Sequence, residues 1–416
     1  MIRSAMIRGA LLVVMAAVMA CTAPPMQQPR GAPTPEPNPH ATDSIGSVRE
    51  IYDGVLSPDL AVNTFRNIDR LFPTRRVPRS ANPLALPAAD QPLTDVAMTY
   101  RGQTYNLAQF LDLNRVSALL VLKDGRVTLE RYRYGNTERT RWMSMSIAKS
   151  ITSTLIGAAV KERKIASLND PVTKYVPALS GSAYDGVSVR DVLMMASGAR
   201  WTETYTNPAS DRRRLLEAQI SQKPGSALDV MKGLPRAADP GTTNRYSTGE
   251  TQVAAELLRN ATGMPLASYL AERVWNRVGM EADASWWLDS PDGVEIGGSG
   301  FSATLRDYGR FGMFMLNDGV AGTDSILPTG WLAEATRPTV LRGGKALDYG
   351  YLWWTGTSPA DRRDHAFAAE GIHGQFVYVN PAARVVIVVW SARPKPSGGE
   401  IVDEWAFFSA VVDALR

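Results

Sequence analysis

Ser146-Ile147-Ala148-Lys149 is the only place in the chain where a serine precedes a lysine by three residues. From Ser146 to Val160 apolar side chains recur at helical spacing, with Ile147, Ile151, Leu155 and Ala159 on one face. Residues three apart on a helix are neighbours, so the hydroxyl and the amine are expected to share one space. A serine hydroxyl is a weak nucleophile until a base takes its proton. A lysine amine can serve once burial or a neighbouring cation lowers its pKa. A helix that starts at Ser146 adds free backbone N–H groups and the positive end of its dipole beside any developing oxyanion. The stretch therefore reads as a Ser-x-x-Lys acyl-transfer site.

The chain has 416 residues, enough for one large domain or two closely packed ones. The formal charge of +4 is small for this length. Arg75-Arg76 and Arg212-Arg213-Arg214 are accordingly expected to be solvated faces, and nucleic acid is not an expected partner. His40, His365 and His373 form no ligand-spaced cluster, so no metal site is expected. No Walker-type glycine loop is present, and no cofactor is expected. His373 reads as structural rather than as a general base, because there is no Gly-x-Ser-x-Gly elbow and Lys149 lies closer to Ser146.

Arg3 and Arg8 precede an apolar run over 10–20, which predicts a signal peptide over 1–20. The run is too short for a membrane span. Val18-Met19-Ala20-Cys21 resembles a bacterial lipobox, which implies lipidation of Cys21, the sole cysteine. The folded part then holds no disulfide and no cysteine ligand. Residues 21–45 follow as an expected extended tether, with seven prolines from Pro24 to Pro39. The expected location is the bacterial cell envelope, as a periplasmic or surface-facing lipoprotein that meets the membrane only through its lipid, or secreted if not lipidated.

Residues 46–416 read as one domain. Asp124-Gly125 between apolar runs predicts a hairpin over 117–134. From Ser146 to about Met280 the pattern is mainly helical. Capping boxes are expected at Ser188-Val189-Arg190-Asp191 and Ser226-Ala227-Leu228-Asp229. Helices are expected over 249–260, closed by Gly263, and over 266–276. Strands return after Gly297, with a hairpin formed by 375–380 and 384–390. An amphipathic segment over 400–416 aligns Ile401, Trp405, Phe408 and Val412. The expected fold class is α/β (α+β): an antiparallel sheet built from both ends of the chain and flanked by helices, with a mainly helical subdomain inserted over 146–290. The active site is expected in the cleft between the two parts.

Pro240-Gly241-Thr242-Thr243-Asn244-Arg245-Tyr246-Ser247-Thr248 opens the helix at Gly249. With Ser146-x-x-Lys149, this resembles the Tyr-x-Asn loop of the serine β-lactamase and penicillin-binding-protein superfamily. The resemblance implies a β-lactamase-like fold and makes Tyr246 a proton relay between serine, lysine and leaving group. The place of that superfamily's Lys-Thr-Gly reads Ala369-Glu370-Gly371, and Thr248 replaces the asparagine. Both departures weigh against β-lactam hydrolysis. Gly371-Ile372-His373-Gly374-Gln375 is instead similar to the 6-aminohexanoate-dimer hydrolase (nylon-oligomer hydrolase) and carboxylesterase branch, as are 205–210, 297–304, 306–312 and Trp353-Trp354. This similarity implies an oxyanion hole from the backbone N–H groups of Ser146 and Ile372. It also implies substrate contacts at Tyr205, which closes over substrate, at Trp354, which walls the pocket, and at Gly371 and His373. The branch's acidic residue for a substrate ammonium has no evident counterpart over 211–217.

The expected function is an exported serine hydrolase that cleaves a small ester or amide through a Ser146 acyl-enzyme, with Lys149 and Tyr246 as proton relay. Two alternatives stay open: a D-alanyl peptidase or β-lactamase acting on peptidoglycan-type substrates, and a non-catalytic envelope binding module.

Overall fold

The computed structural model describes residues 36–416. The signal peptide, Cys21 and the tether up to residue 35 lie outside the described residues. Residues 36–45, expected to belong to the tether, are instead bonded to the folded body. Asn38 Nδ2 donates to Asn67 Oδ1 at 2.9 Å, His40 Nε2 lies 3.0 Å from Thr140 Oγ1, and Asp43 pairs with Arg66 at 2.7 Å. The prolines hid these anchoring polar side chains.

The main sheet has six antiparallel strands in the order Trp354–Thr355, Phe367–Gly371, Gln375–Asn380, Val385–Ser391, Val116–Lys123, Arg126–Tyr132. The two ends of the chain meet at its centre, where Val388 lies opposite Leu120. Both central strands are apolar almost throughout because the sheet is covered on both faces. Strand alternation sends Leu120, Leu122, Val386, Val388 and Trp390 into one core. Leu119, Val121, Val385, Ile387 and Val389 enter the other. Asp124 and Gly125, at φ 50 and φ 78, close the expected hairpin.

The second core lies under the helix Glu404–Ala414, which Asp403 caps by accepting from Ala406 N. Ile401 precedes that cap and is 53% exposed, so it does not join the apolar face expected of it. The first core surrounds the helix Ile147–Lys161. Every side chain from Ile147 to Ala159 is buried, where periodicity predicted one apolar face. Packing on all sides fixes the first turn of this helix, and with it Ser146 and Lys149.

The helical subdomain follows its caps in part. Ser188 and Asp191 form the reciprocal box. Ser226 does not: its helix starts after Gly225 at φ 78, and Ser226 Oγ donates to Ala218 O at 3.0 Å. The helix Thr248–Thr262 ends at Gly263 with φ 70. The helix expected over 266–276 is Leu266–Leu270 followed by a π turn, Ala271–Trp275, and Asn276–Val278.

A second sheet, of four strands, was not foreseen: Thr74–Val77, Ala284–Trp287, Phe301–Thr304 and Arg141–Met143. Arg75 and Arg76 lie on its edge strand and pair with buried Glu295 and Asp283, rather than forming a solvated face. Ser144 N donates to Phe301 O at 2.7 Å. The turn that carries Ser146 is thereby tied to this sheet. No helix among the described residues is long and apolar enough to cross a membrane.

Candidate active site

Ser146 caps the buried helix directly after the strand Arg141–Met143. The reversal places Met145 at φ 43, a left-handed conformation that costs a methionine about 1–3 kcal/mol. Gly371 lets the end of its strand approach this turn. A Cβ there would lie 2.5 Å from Ser144 O.

Lys149 is 1% exposed. Its Nζ donates to Ser146 Oγ at 2.8 Å, to Gly298 O at 2.9 Å and to Thr248 Oγ1 at 3.0 Å. A lysine ammonium has three donors, and all three are used. Burial lowers its pKa to about 7, with Glu203 opposing the shift and Arg212 adding to it. Near neutral pH a large fraction is free amine, which can accept the proton of Ser146.

Thr248 stands where the superfamily motif has asparagine, yet its position stays polar. Its hydroxyl donates to Glu203 Oε1, and its N–H donates to Glu203 Oε2 at 2.9 Å. Glu203 was not foreseen, because no spacing in the sequence links it to Thr248. Tyr246 is partly buried, with its ring centroid 5.3 Å from Lys149 Nζ. It stacks on Trp354 at 5.7 Å and meets Tyr349 edge-on at 6.3 Å. Burial raises its pKa above the ordinary phenol range, Glu203 adds to this, and a hydrogen bond with Ser146 opposes it. The phenol stays protonated at neutral pH and can donate. Ser146 and Ile372 lie outside strands and helices, and among the described residues neither N–H donates to a backbone carbonyl.

A narrow hollow beside Ser146, about 170 Å³ of space between atoms with its open mouth included, is lined in part by Tyr52, Tyr205, Arg212, Thr248 and Ile372. Of the expected substrate contacts, only Tyr205 reaches it directly. Trp354 lies one ring behind, against Tyr246. Gly371 serves the close approach described above and does not line the hollow. His373 is buried away from it, with Nδ1 2.8 Å from Arg393 O and Nε2 3.1 Å from Ile51 O. Both ring nitrogens face carbonyls and the ring packs 5.0 Å from that of Phe65, so His373 is a structural tie. Burial lowers its pKa to about 4.

The Arg212-Arg213-Arg214 run is not a solvated face. Arg212 and Arg213 are 3% and 4% exposed. Arg213 Nη1 pairs with Asp53 at 2.5 Å and donates to Tyr205 O at 3.1 Å, which pins the Tyr205 segment. Asp211 is spent on Thr202, accepting from its N–H at 3.0 Å and its hydroxyl at 2.9 Å. Glu217 pairs with Arg49 at the surface. Neither acid is available for a substrate ammonium. The replaced Lys-Thr pair is also accounted for: Ala369 packs in the first core, and Glu370 accepts from Trp405 Nε1 at 2.9 Å on the opposite face. Tyr52 and Arg212, unforeseen as site residues, complete the wall.

Residues 108–411 match the sequence profile of the Beta-lactamase family. This chain belongs to the beta-lactamase family. Over 346 residues it is 31% identical to the 6-aminohexanoate-dimer hydrolase of Paenarthrobacter ureafaciens, covering 80% of this chain and 85% of that one. A solved structure from Bacillus anthracis, provisionally named a 6-aminohexanoate-dimer hydrolase, matches with a TM-score of 0.78 at 24% identity over 90% of this chain and 98% of its own. A family VIII carboxylesterase matches at 0.57 with 17% identity, over 74% and 94%. The two structures share the fold described here. This beta-lactamase-family chain is a serine hydrolase.

Proposed function

We propose that the chain hydrolyses a small ester or amide through an acyl-enzyme on Ser146. The observation that carries this reading is the 2.8 Å contact between Ser146 Oγ and a buried Lys149 whose pKa is about 7. Ser146 Oγ attacks the carbonyl carbon while its proton passes to neutral Lys149. The bond to the leaving group then breaks, and Tyr246 gives that group a proton and recovers one from Lys149. Water attacks the acyl-enzyme by the same route in reverse, which restores Ser146. The N–H groups of Ser146 and Ile372 receive the oxyanion, each such donor being worth about 10²–10³ in rate. The 31% identity to a 6-aminohexanoate-dimer hydrolase supports an amide among the substrates. The loss of the Lys-Thr pair supports a substrate other than a β-lactam.

Hydrolysis of p-nitrophenyl butyrate by the protein and its Ser146→Ala variant tests this. A fall of about 10³-fold or more in the variant is expected; equal turnover in both overturns the reading. We also propose export and lipidation at Cys21, on the strength of the lipobox-like run. Labelled palmitate should enter the protein in cells and be absent from Cys21→Ala; an unlabelled native chain overturns it.

A further inference from the structure

Arg212 is a nearly buried cation whose charge the fold leaves only partly answered. Among the described residues its guanidinium makes one hydrogen bond, from Nη2 to Tyr52 Oη, and it lies over the Tyr52 ring at 4.3 Å. The nearest carboxylate, Glu203, stands 3.9 Å from Nε, beyond hydrogen-bond reach. Glu203 is already engaged by Thr248 N, the Thr248 hydroxyl and Trp201 Nε1. A guanidinium carries five N–H donors, and it suits a planar carboxylate in two-point contact. With one hydrogen bond and one carboxylate only at ion-pair distance, the guanidinium still has N–H donors to offer an arriving carboxylate. Arg212 lines the same hollow as Ser146 and Ile372.

We infer that Arg212 receives a carboxylate on the acyl part of the substrate, so that the enzyme acts on half-esters or half-amides of short dicarboxylic acids. This rests on the acyl-transfer reading proposed above. The leaving group departs past Tyr246, its proton donor in that reading, and Tyr246 leans on Trp354 and Tyr349. None of these three rings lines the hollow that holds Arg212, so that hollow is left for the acyl chain. Arg212 and Ser146 line the same small hollow, so the chain that joins the scissile carbonyl to the carboxylate spans only a few carbons. An acyl group ending in an ammonium, as in the amino-terminal half of an amino-acid oligomer, would meet Arg212 with no free acid beside it. The cation that the Lys-Thr-Gly strand lacks is thus supplied from the helical subdomain on another wall.

The test compares kcat/KM for monomethyl glutarate, methyl pentanoate and methyl 5-aminopentanoate, followed by acid release. The wild-type enzyme should favour the glutarate ester over the pentanoate by about tenfold or more, the worth of one charge-assisted hydrogen bond. It should disfavour the amino ester. Arg212→Met should bring the glutarate-to-pentanoate ratio close to one, and Arg212→Lys should keep part of it. A wild-type ratio at or below one, or a ratio unchanged in Arg212→Met, overturns the inference. If Arg212→Met does not fold, inhibition of the wild-type enzyme decides. Glutarate should compete with p-nitrophenyl butyrate about tenfold more tightly than 1,5-diaminopentane does; equal inhibition by the two overturns the inference. Turnover that depends on Ser146 but ignores acyl charge rejects only this inference. Turnover that survives Ser146→Ala rejects the acyl-transfer reading itself.

Discussion

Glu203 and Lys149 face each other across a single hydroxyl. Thr248 Oγ1 accepts from Lys149 Nζ at 3.0 Å and donates to Glu203 Oε1. A carboxylate in direct contact would lock the amine as ammonium, while full isolation would leave only desolvation at work. The spacer hydroxyl gives the amine a carboxylate at one remove, and its pKa comes to about 7.

The rate should follow that balance. If neutral Lys149 takes the proton of Ser146, kcat/KM for an ester rises with pH through a limb near 7 and is lost below it. Lys149→Arg keeps a charge at every accessible pH and should lower kcat/KM by about 10²–10⁴ without a new limb. A pH–rate profile of both proteins checks this, and a flat wild-type profile between pH 5 and 8 would reject Lys149 as the base.

Glu203→Gln tests the electrostatic part of the network. The charge of Glu203 raises the Lys149 pKa, so its removal should move the limb to lower pH. Titrating kcat/KM of the variant against the wild type gives the answer; a limb that stays or moves upward contradicts the assignment.

Two glycines hold the machinery by their lack of a side chain. A Cβ on Gly371 would lie 2.5 Å from Ser144 O, and one on Gly298 would lie 2.3 Å from Thr251 Oγ1 and 3.2 Å from Lys149 Nζ. Gly371→Ala should cost about 1–3 kcal/mol of stability by overpacking. It should also lower kcat, because the strand end and the Ser146 turn must separate. Denaturant unfolding and steady-state kinetics on Gly371→Ala and Gly298→Ala read the two effects apart.

His373 should show itself in stability and be silent in catalysis. Its folded pKa is about 4, below its ordinary value of 6.5, so the unfolded chain binds the extra proton between those pH values. Its contribution is fully present above pH 6.5 and declines as pH falls to 4, by about 3 kcal/mol in all. Thermal melts from pH 7 to 4 should fall less steeply for His373→Gln than for the wild type, while the catalytic limb near 7 stays in place. Parallel melting curves would remove His373 from the acid response.

The elements legible in the sequence were those written in short-range terms. Asp124-Gly125 demanded a hairpin turn, Gly263 ended a helix, and the spacing of Ser146 and Lys149 placed them on one helical turn. The elements that were misread depended on what packed against them. Ser226 carries a capping pattern, but Gly225 at φ 78 starts its helix and the hydroxyl turns to Ala218. Arg212 and Arg213 sit in a run of charges that reads as solvated, yet Tyr52, Asp53 and the Tyr205 segment bury them.

By itself, the sequence determined the serine–lysine pair and the hairpins over 117–134 and 375–390. These rest on contacts within one helical turn or one hairpin, whose periodicity is written in neighbouring residues. Only the tertiary structure decided that Thr248 joins Lys149 across 99 positions, that Gly298 does so across 149, and that Tyr52 meets Arg212 across 160. It also decided that His373 is a tie rather than a substrate contact. Such pairings are set by how the whole core closes, and no local spacing encodes them.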